Sequence, residues 1–96
     1  GQRVLRYPFG FIFEERRKQM NQVVVMVECT SQKESYDFFE KLCETFNLLY
    51  ANEFESSAIA VDLLNDSKNT VKITLKGNDA INSYPVIEKF MKWYGA

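Results

Sequence analysis

The sequence predicts an α+β fold, an open-faced antiparallel β-sandwich in which two helices cover one face of a sheet. Three observations carry this prediction. Residues 22–29, QVVVMVEC, are a short, unbroken, β-branched run, the pattern of a central strand covered on both faces or nearly so. Residues 70–77, TVKITLKG, alternate between apolar and polar, the pattern of a strand buried on one side. Residues 32–46 and 83–94 repeat apolar side chains at helical spacing, so each has a face for a core.

The chain opens on a compositional break. All four arginines, Arg3, Arg6, Arg16 and Arg17, precede residue 20, and residues 1–19 carry a net +3. Residues 20–96 hold seven lysines, eleven acids and no arginine, a net −4. A domain is therefore expected over 20–96, with 1–19 as an N-terminal extension. Two readings of that extension stand side by side. EERRKQM back-translates to a purine-rich AGGAGG just before an ATG for Met20, as a translated ribosome-binding leader would, and Gly1, with no Met before it, reads as an expression scar. Against this, Phe9, Phe11 and Phe13 alternate as an extra strand would.

After the 22–29 run comes TSQKESYDFFEKLCETF. Ser31 with Glu34 is a capping box, in which each side chain answers the other's orphan backbone donor. Phe39, Leu42, Cys43 and Phe46 fall at i, i+3, i+4 and i+7, with Tyr36 one turn earlier, so the helix presents them to the core. Residues 47–57, NLLYANEFESS, read either as a short hairpin turning at Ala51-Asn52 or as a continuation of the helix through Tyr50. Residues 58–65, AIAVDLLN, read either as a strand or as two helical turns capped by Ser57. In 70–76, Val71, Ile73 and Leu75 face in, while Thr70, Lys72, Thr74 and Lys76 face out. Gly77-Asn78-Asp79 ends that strand. Ile87, Phe90, Met91 and Tyr94 form the stripe of the last helix. Pro85 lacks the donor that a helix interior needs, so the regular helix is expected to start or kink near Ser83, as N-cap. The aromatic run from Tyr84 to Tyr94, including Trp93, reads first as core packing and second as a binding face.

Composition narrows the function classes. With 46% apolar and 15% aromatic residues in 96, the chain fills one core. A formal charge of −1 gives no basic footprint for nucleic acid. No apolar run approaches the ~20 residues that span a bilayer, and no signal peptide opens the chain, so a cytoplasmic location is the expectation. There is no histidine, which removes the commonest general base and metal ligand. Cys29 and Cys43 are too few for a zinc site or a disulfide scaffold, and Cys43 reads as a small core residue. No cofactor or metal is expected.

From residue 22 onward the order of elements resembles the histidine-containing phosphocarrier protein (HPr) of the bacterial sugar phosphotransferase system. NTVKITLKGNDAINSYPVIEKFMK (69–92) is similar to that family's last strand, Gly-acidic-Ala turn and closing helix. SSAIAVDLL (56–64) is similar to its short second helix, and NQVVVMVECTSQKESYDFFEKLCETF (21–46) to its first strand and helix. The resemblance implies an HPr-like domain over 20–96. It departs from the family in two places. The stretch 47–57 is several residues short for the family's middle hairpin. Matching Phe38-Phe39 to the family's hydrophobic pair puts Ser31 where the phosphorylated histidine would stand and Lys33 where the arginine would. Serine forms no labile phosphoramidate, so no phosphoryl transfer to residues 20–96 is expected. What the resemblance leaves is an anion site at the first helix's N-terminus, with Ser31, Gln32 and Lys33, and a regulatory serine at Ser56 or Ser57. Ordinary helix capping is the competing role for Ser31, Ser56 and Ser57.

Three functions are open to such a chain. The first is a non-catalytic HPr-like binding or regulatory domain that docks on a protein partner or senses an anion. The second is chemistry at Ser31 or Cys29, which has no activating base in sequence. The third is a ferredoxin-like sandwich, either binding a small ligand or dimerising through a sheet edge or residues 1–19. A strand at 58–65 pairing with 70–76 separates the third from the first.

Overall fold

A computed structural model describes residues 2–18, 21–46 and 59–96. The elements run β1 (Gln2–Arg6), β2 (Ile12–Lys18), β3 (Gln22–Glu28), α1 (Gln32–Thr45), β4 (Ile59–Leu63), β5 (Thr70–Lys76), α2 (Asn78–Ile81) and α3 (Tyr84–Tyr94). The strands form one antiparallel sheet in the order β1-β2-β3-β5-β4. The expected α+β architecture is present: β3 and β5 pair at the centre, Gln22 opposite Lys76 and Glu28 opposite Thr70, and both long helices cover one face.

Alternation along each strand decides what lies under the helices. Phe13, Val27, Val71 and Leu63 make one cross-strand row, and Glu15, Val25, Ile73 and Val61 the next. Phe11, Phe13, Val25, Val27, Ile73 and Leu75 are fully buried there, with Phe38 and Leu42 of α1 and Ile87 and Met91 of α3. Each such side chain adds about 1.5–3 kcal/mol by leaving water. The opposite face has no helix over it among the described residues. Thus β3 is central, with the helices on one side of it and, among the described residues, only its sheet neighbours on the other. Val24, on the uncovered side, stays buried among sheet neighbours, while Met26 is half-buried.

Residues 2–18 belong to this sheet. β2 pairs with β3 along its whole length, from Ile12 opposite Glu28 to Lys18 opposite Gln22. The β1–β2 turn follows from Pro8-Phe9-Gly10. Tyr7 O accepts from Gly10 N–H at 3.0 Å, and Tyr7 N–H donates to Phe11 O at 2.9 Å. Gly10 has φ +100°, and a Cβ there would stand 2.7 Å from Thr30 Cγ2, so glycine is required on both counts.

The α1 face is rotated from its predicted stripe. Ser35, Phe38, Leu42 and Cys43 are buried, Phe39 and Phe46 are half-buried, and Tyr36 is exposed. The stretch left open between helix and strand is β4. Ile59, Val61 and Leu63 face Leu75, Ile73 and Val71 across an antiparallel ladder. Over 59–63 a strand stands where the phosphocarrier resemblance implied part of a short helix at 56–64, with Val61 buried opposite Ile73 and Asp62 turned out. The readings of 47–57, including Ser56 and Ser57, lie outside the described residues.

The break near Ser83 is present, between α2 and α3, with Pro85 in the first turn of α3. Ser83 does not cap through its side chain: it has helical φ and ψ of −83° and −2°, and its Oγ donates back to Asp79 O at 3.4 Å. Of the aromatic run, Tyr84 and Phe90 are core, Tyr94 is half-buried and Trp93 is exposed. No helix of the described residues is long and apolar enough to cross a membrane.

Candidate functional site

The strand-to-helix junction after β3 carries Ser31, Gln32 and Lys33. Ser31 is extended, with φ −156° and ψ 166°, and its Oγ accepts from Glu34 N–H at 3.1 Å. Its hydroxyl is thus engaged as the N-cap of α1. Gln32 O accepts from Ser35 Oγ at 2.7 Å, and the side chains of Gln32 and Lys33 are exposed. Glu34 stands in the first turn, where its carboxylate already interacts with the helix dipole that an anion would use. Cys29 is buried two residues before the cap. Burial, and then the nearby charge of Glu34, push its thiol up to about 12. At neutral pH it is a protonated thiol, a poor nucleophile.

A second polar cluster ties the β1–β2 hairpin to α3. Glu15 stands in the inward register that Phe11 and Phe13 set, and its side chain is 8% exposed. Its Oε1 meets Arg17 Nε at 2.8 Å. Its Oε2 accepts from Tyr84 Oη at 2.8 Å and meets Arg3 Nε at 3.3 Å. Arg3 Nη2 donates in turn to Tyr84 Oη at 2.7 Å and reaches Glu88 Oε2 at 3.4 Å. The guanidinium groups of Arg3 and Arg17 also lie 5.6 and 5.9 Å from the centre of the Tyr84 ring, within cation–π range. Burial raises the Tyr84 phenol above its ordinary range, and the bond to Glu15 adds to this. Both Glu15 oxygens have charged or phenolic donors, so the cluster is a saturated staple and not an open acid awaiting a substrate. Sequence reasoning passed over Glu15 and read Tyr84 only as part of the aromatic run. The signal was available: an acid two residues beyond Phe13 on an inward-facing strand requires cationic partners, and arginines stand at 3 and 17.

That staple holds β1 at the rim of the sheet. All of Gln2, Arg3, Val4, Leu5 and Arg6 are exposed, and among the described residues no strand pairs with the outer side of β1. Since Tyr7 and Phe11 are a hydrogen-bonded pair, the alternation of an antiparallel ladder points the N–H and C=O of Arg3 and Leu5 at β2. Those of Gln2, Val4 and Arg6 point away from the sheet. Val4 and Leu5, 48% and 37% exposed, are two of the five large apolar residues left on the surface among the described residues. Natural sheets usually block such an edge with lysine, proline or a bulge; here Gln2 to Arg6 pair with β2 without a bulge.

Comparisons with protein-family models, with curated proteins and with solved structures found no match.

Proposed function

We propose that this chain is a non-catalytic binding or regulatory domain that works by strand addition along the outer edge of β1. The single observation that carries the proposal is β1 itself: a regular strand, exposed at every residue, whose outward backbone groups have no partner strand among the described residues, with exposed Val4 and Leu5. Strand addition draws affinity from main-chain hydrogen bonds and specificity from alternate side chains. The polar staple on Glu15 supports the reading, because a bound strand gains most from an edge already ordered.

For the finer architecture, β4 favours the ferredoxin-like reading. β3, α1 and β4 with β5 inserted between the two strands make a split β-α-β unit, and α3 follows β5 as such a fold requires. β2 stands beside β3, where a strand following α3 would stand, so the arrangement reads as a permuted ferredoxin-like sandwich. The phosphocarrier-like reading instead docks partners at Ser31, Gln32 and Lys33.

A titration of isotopically labelled chain separates the two sites. One probe is an extended peptide with the β1 sequence in which both arginines are replaced by glutamate, complementary to the basic edge. The other is inorganic phosphate. Amide shifts confined to β1 and β2 with the peptide support the proposal. Shifts confined to residues 31–35 with phosphate, and none at β1 with the peptide, overturn it.

A further inference from the structure

We infer that the strand received by β1 is β1 of a second copy of this chain, paired antiparallel about a two-fold axis at Val4; this rests on the strand-addition reading above. The register follows from the backbone. Antiparallel partners share a face, so outward residues must meet outward residues. Centring the axis on Val4 sets Val4 against the partner's Val4, and Gln2 against the partner's Arg6. Every outward residue then exchanges a pair of main-chain hydrogen bonds with its opposite number. Sliding by two residues in one direction sets Arg3 against the partner's Arg3. Sliding the other way leaves Gln2 opposite the partner's Pro8, which has no N–H to give.

The side chains agree with that register. Arg6 has no ion-pair partner among the described residues. Gln2 Nε2 donates to Glu14 Oε1 at 2.7 Å, which orients its Oε1 as an acceptor beside the partner's Arg6. Arg3 faces the partner's Leu5, and its aliphatic stem covers that apolar side chain. Val4 meets an apolar copy of itself at the axis, a favourable cross-strand pair. Charge does not oppose the pairing. Arg3 is already held by Glu15 and Glu88. The two Arg6 side chains sit at opposite ends of the paired strands, about 13 Å apart at the strand rise of ~3.3 Å per residue, beyond the screening length of ~8 Å at physiological salt. One strand pair buries less than the ~1,200 Å² of a standard interface. The dimer therefore stands at the weak end of specific association and is reversible on dilution.

The experiment is sedimentation of wild type from about 5 to 500 µM beside Val4→Pro and Val4→Lys, with amide exchange followed at Val4 and Arg6. Val4→Pro deletes an outward N–H and leaves the β1–β2 ladder whole, since edge strands tolerate proline where the N–H faces solvent. Val4→Lys keeps the backbone and sets two ammonium groups at the axis, which covers the case in which proline disturbs the hairpin. We expect a wild-type dimer with Val4 and Arg6 amides slowed at least tenfold at high concentration, and monomers for both variants with unchanged circular dichroism. A wild type monomeric at 500 µM, or a dimer that both variants retain, overturns the inference. If the monomeric wild type still shifts at β1 with the glutamate-bearing peptide, only the second copy falls. If it shifts with neither partner, the strand-addition reading falls too.

Discussion

α3 is fastened at its two ends by tyrosines of opposite design. At its start, Tyr84 gives its hydroxyl to a buried carboxylate, Glu15, which two arginines also hold. At its end, Tyr94 gives its hydroxyl to Asp37 on α1 at 2.8 Å, with Lys41 at 3.0 Å from the same oxygen, but both charged side chains are nearly half exposed. There the ring does more than the hydroxyl. It packs with Phe11, Phe38 and Phe90 at centroid distances of 5.5, 5.3 and 5.9 Å, and with Phe9 at 6.2 Å. Phe9 in turn leaves no space for a Cβ at Gly95. A hydrogen bond gains its value from the dielectric around it. The same phenol is therefore a polar staple at one end of a helix and an aromatic hub at the other.

Substitutions that separate ring from hydroxyl break or sharpen that contrast. Tyr94→Ala should be the most damaging, at about 3 kcal/mol, since it empties the middle of the ring cluster; urea unfolding followed by tryptophan fluorescence measures it. Glu15→Ala should cost about 2 kcal/mol. It strands the Tyr84 hydroxyl, but Arg3 and Arg17, each about half exposed, can turn to water and limit the loss. Tyr84→Phe should cost about 1 kcal/mol by removing one donor from a buried carboxylate. Tyr94→Phe should cost less than half as much as Tyr84→Phe by the same measurement. An equal loss for the two phenylalanine variants would refute the contrast.

The pH dependence carries the smallest effects. The Cys29 thiol is raised from 9.0 to about 12, by burial first, and both tyrosines are raised above 10.0, again by burial first. Groups raised in the fold are protonated there when the unfolded chain has lost its protons. Their contribution is complete below the unfolded value and fades as pH rises. Thermal melts should therefore fall from about pH 9 upward; burial raises the Cys43 thiol as well, so Cys29→Ala should make the fall between about pH 9 and 10 shallower, and Cys29→Ala with Cys43→Ala should postpone it to about pH 10. Asp37 is lowered from 3.8 by Lys41 and then by Tyr94, so its contribution is complete above that value and is lost as pH drops below it. Tyr94→Phe should shrink this acid-side loss, and Tyr84→Phe should leave it unchanged.

The elements were legible where one periodicity ruled. The valine run of β3, the alternation of β5 and the apolar spacing of α3 each match a single local geometry. At 59–63 two geometries competed on so few residues, and pairing with β5 decided for the strand. The face of α1 shifted from Phe39 to Phe38 because the helix must meet Phe11 and Phe90, which no spacing within α1 encodes. Of the candidate site, Ser31 was legible as a cap, since capping depends on neighbours in sequence. Of the Glu15 staple only the need for a cation was legible; its joining of residues 3, 15 and 84 was not, because they are distant in sequence. The edge was half visible: the alternation of Phe11 and Phe13 marks β2, but nothing local tells that β1 has no second neighbour among the described residues.

The central pairing of β3 with β5 joins Gln22 to Lys76 and Glu28 to Thr70, and so joins distant parts of the chain at the middle of the sheet. The β1–β2 turn closes between Tyr7 and Phe11, and the β4–β5 turn between Leu64 and Thr70. Local closures are fast, and the long loop between β3 and β5 makes their seam the slow one. Until that seam forms, the valine run of β3 is itself a bare edge, more apolar than β1 and able to join the same run on another chain. Protein concentration during refolding, rather than stability once folded, should therefore set the yield of native molecules.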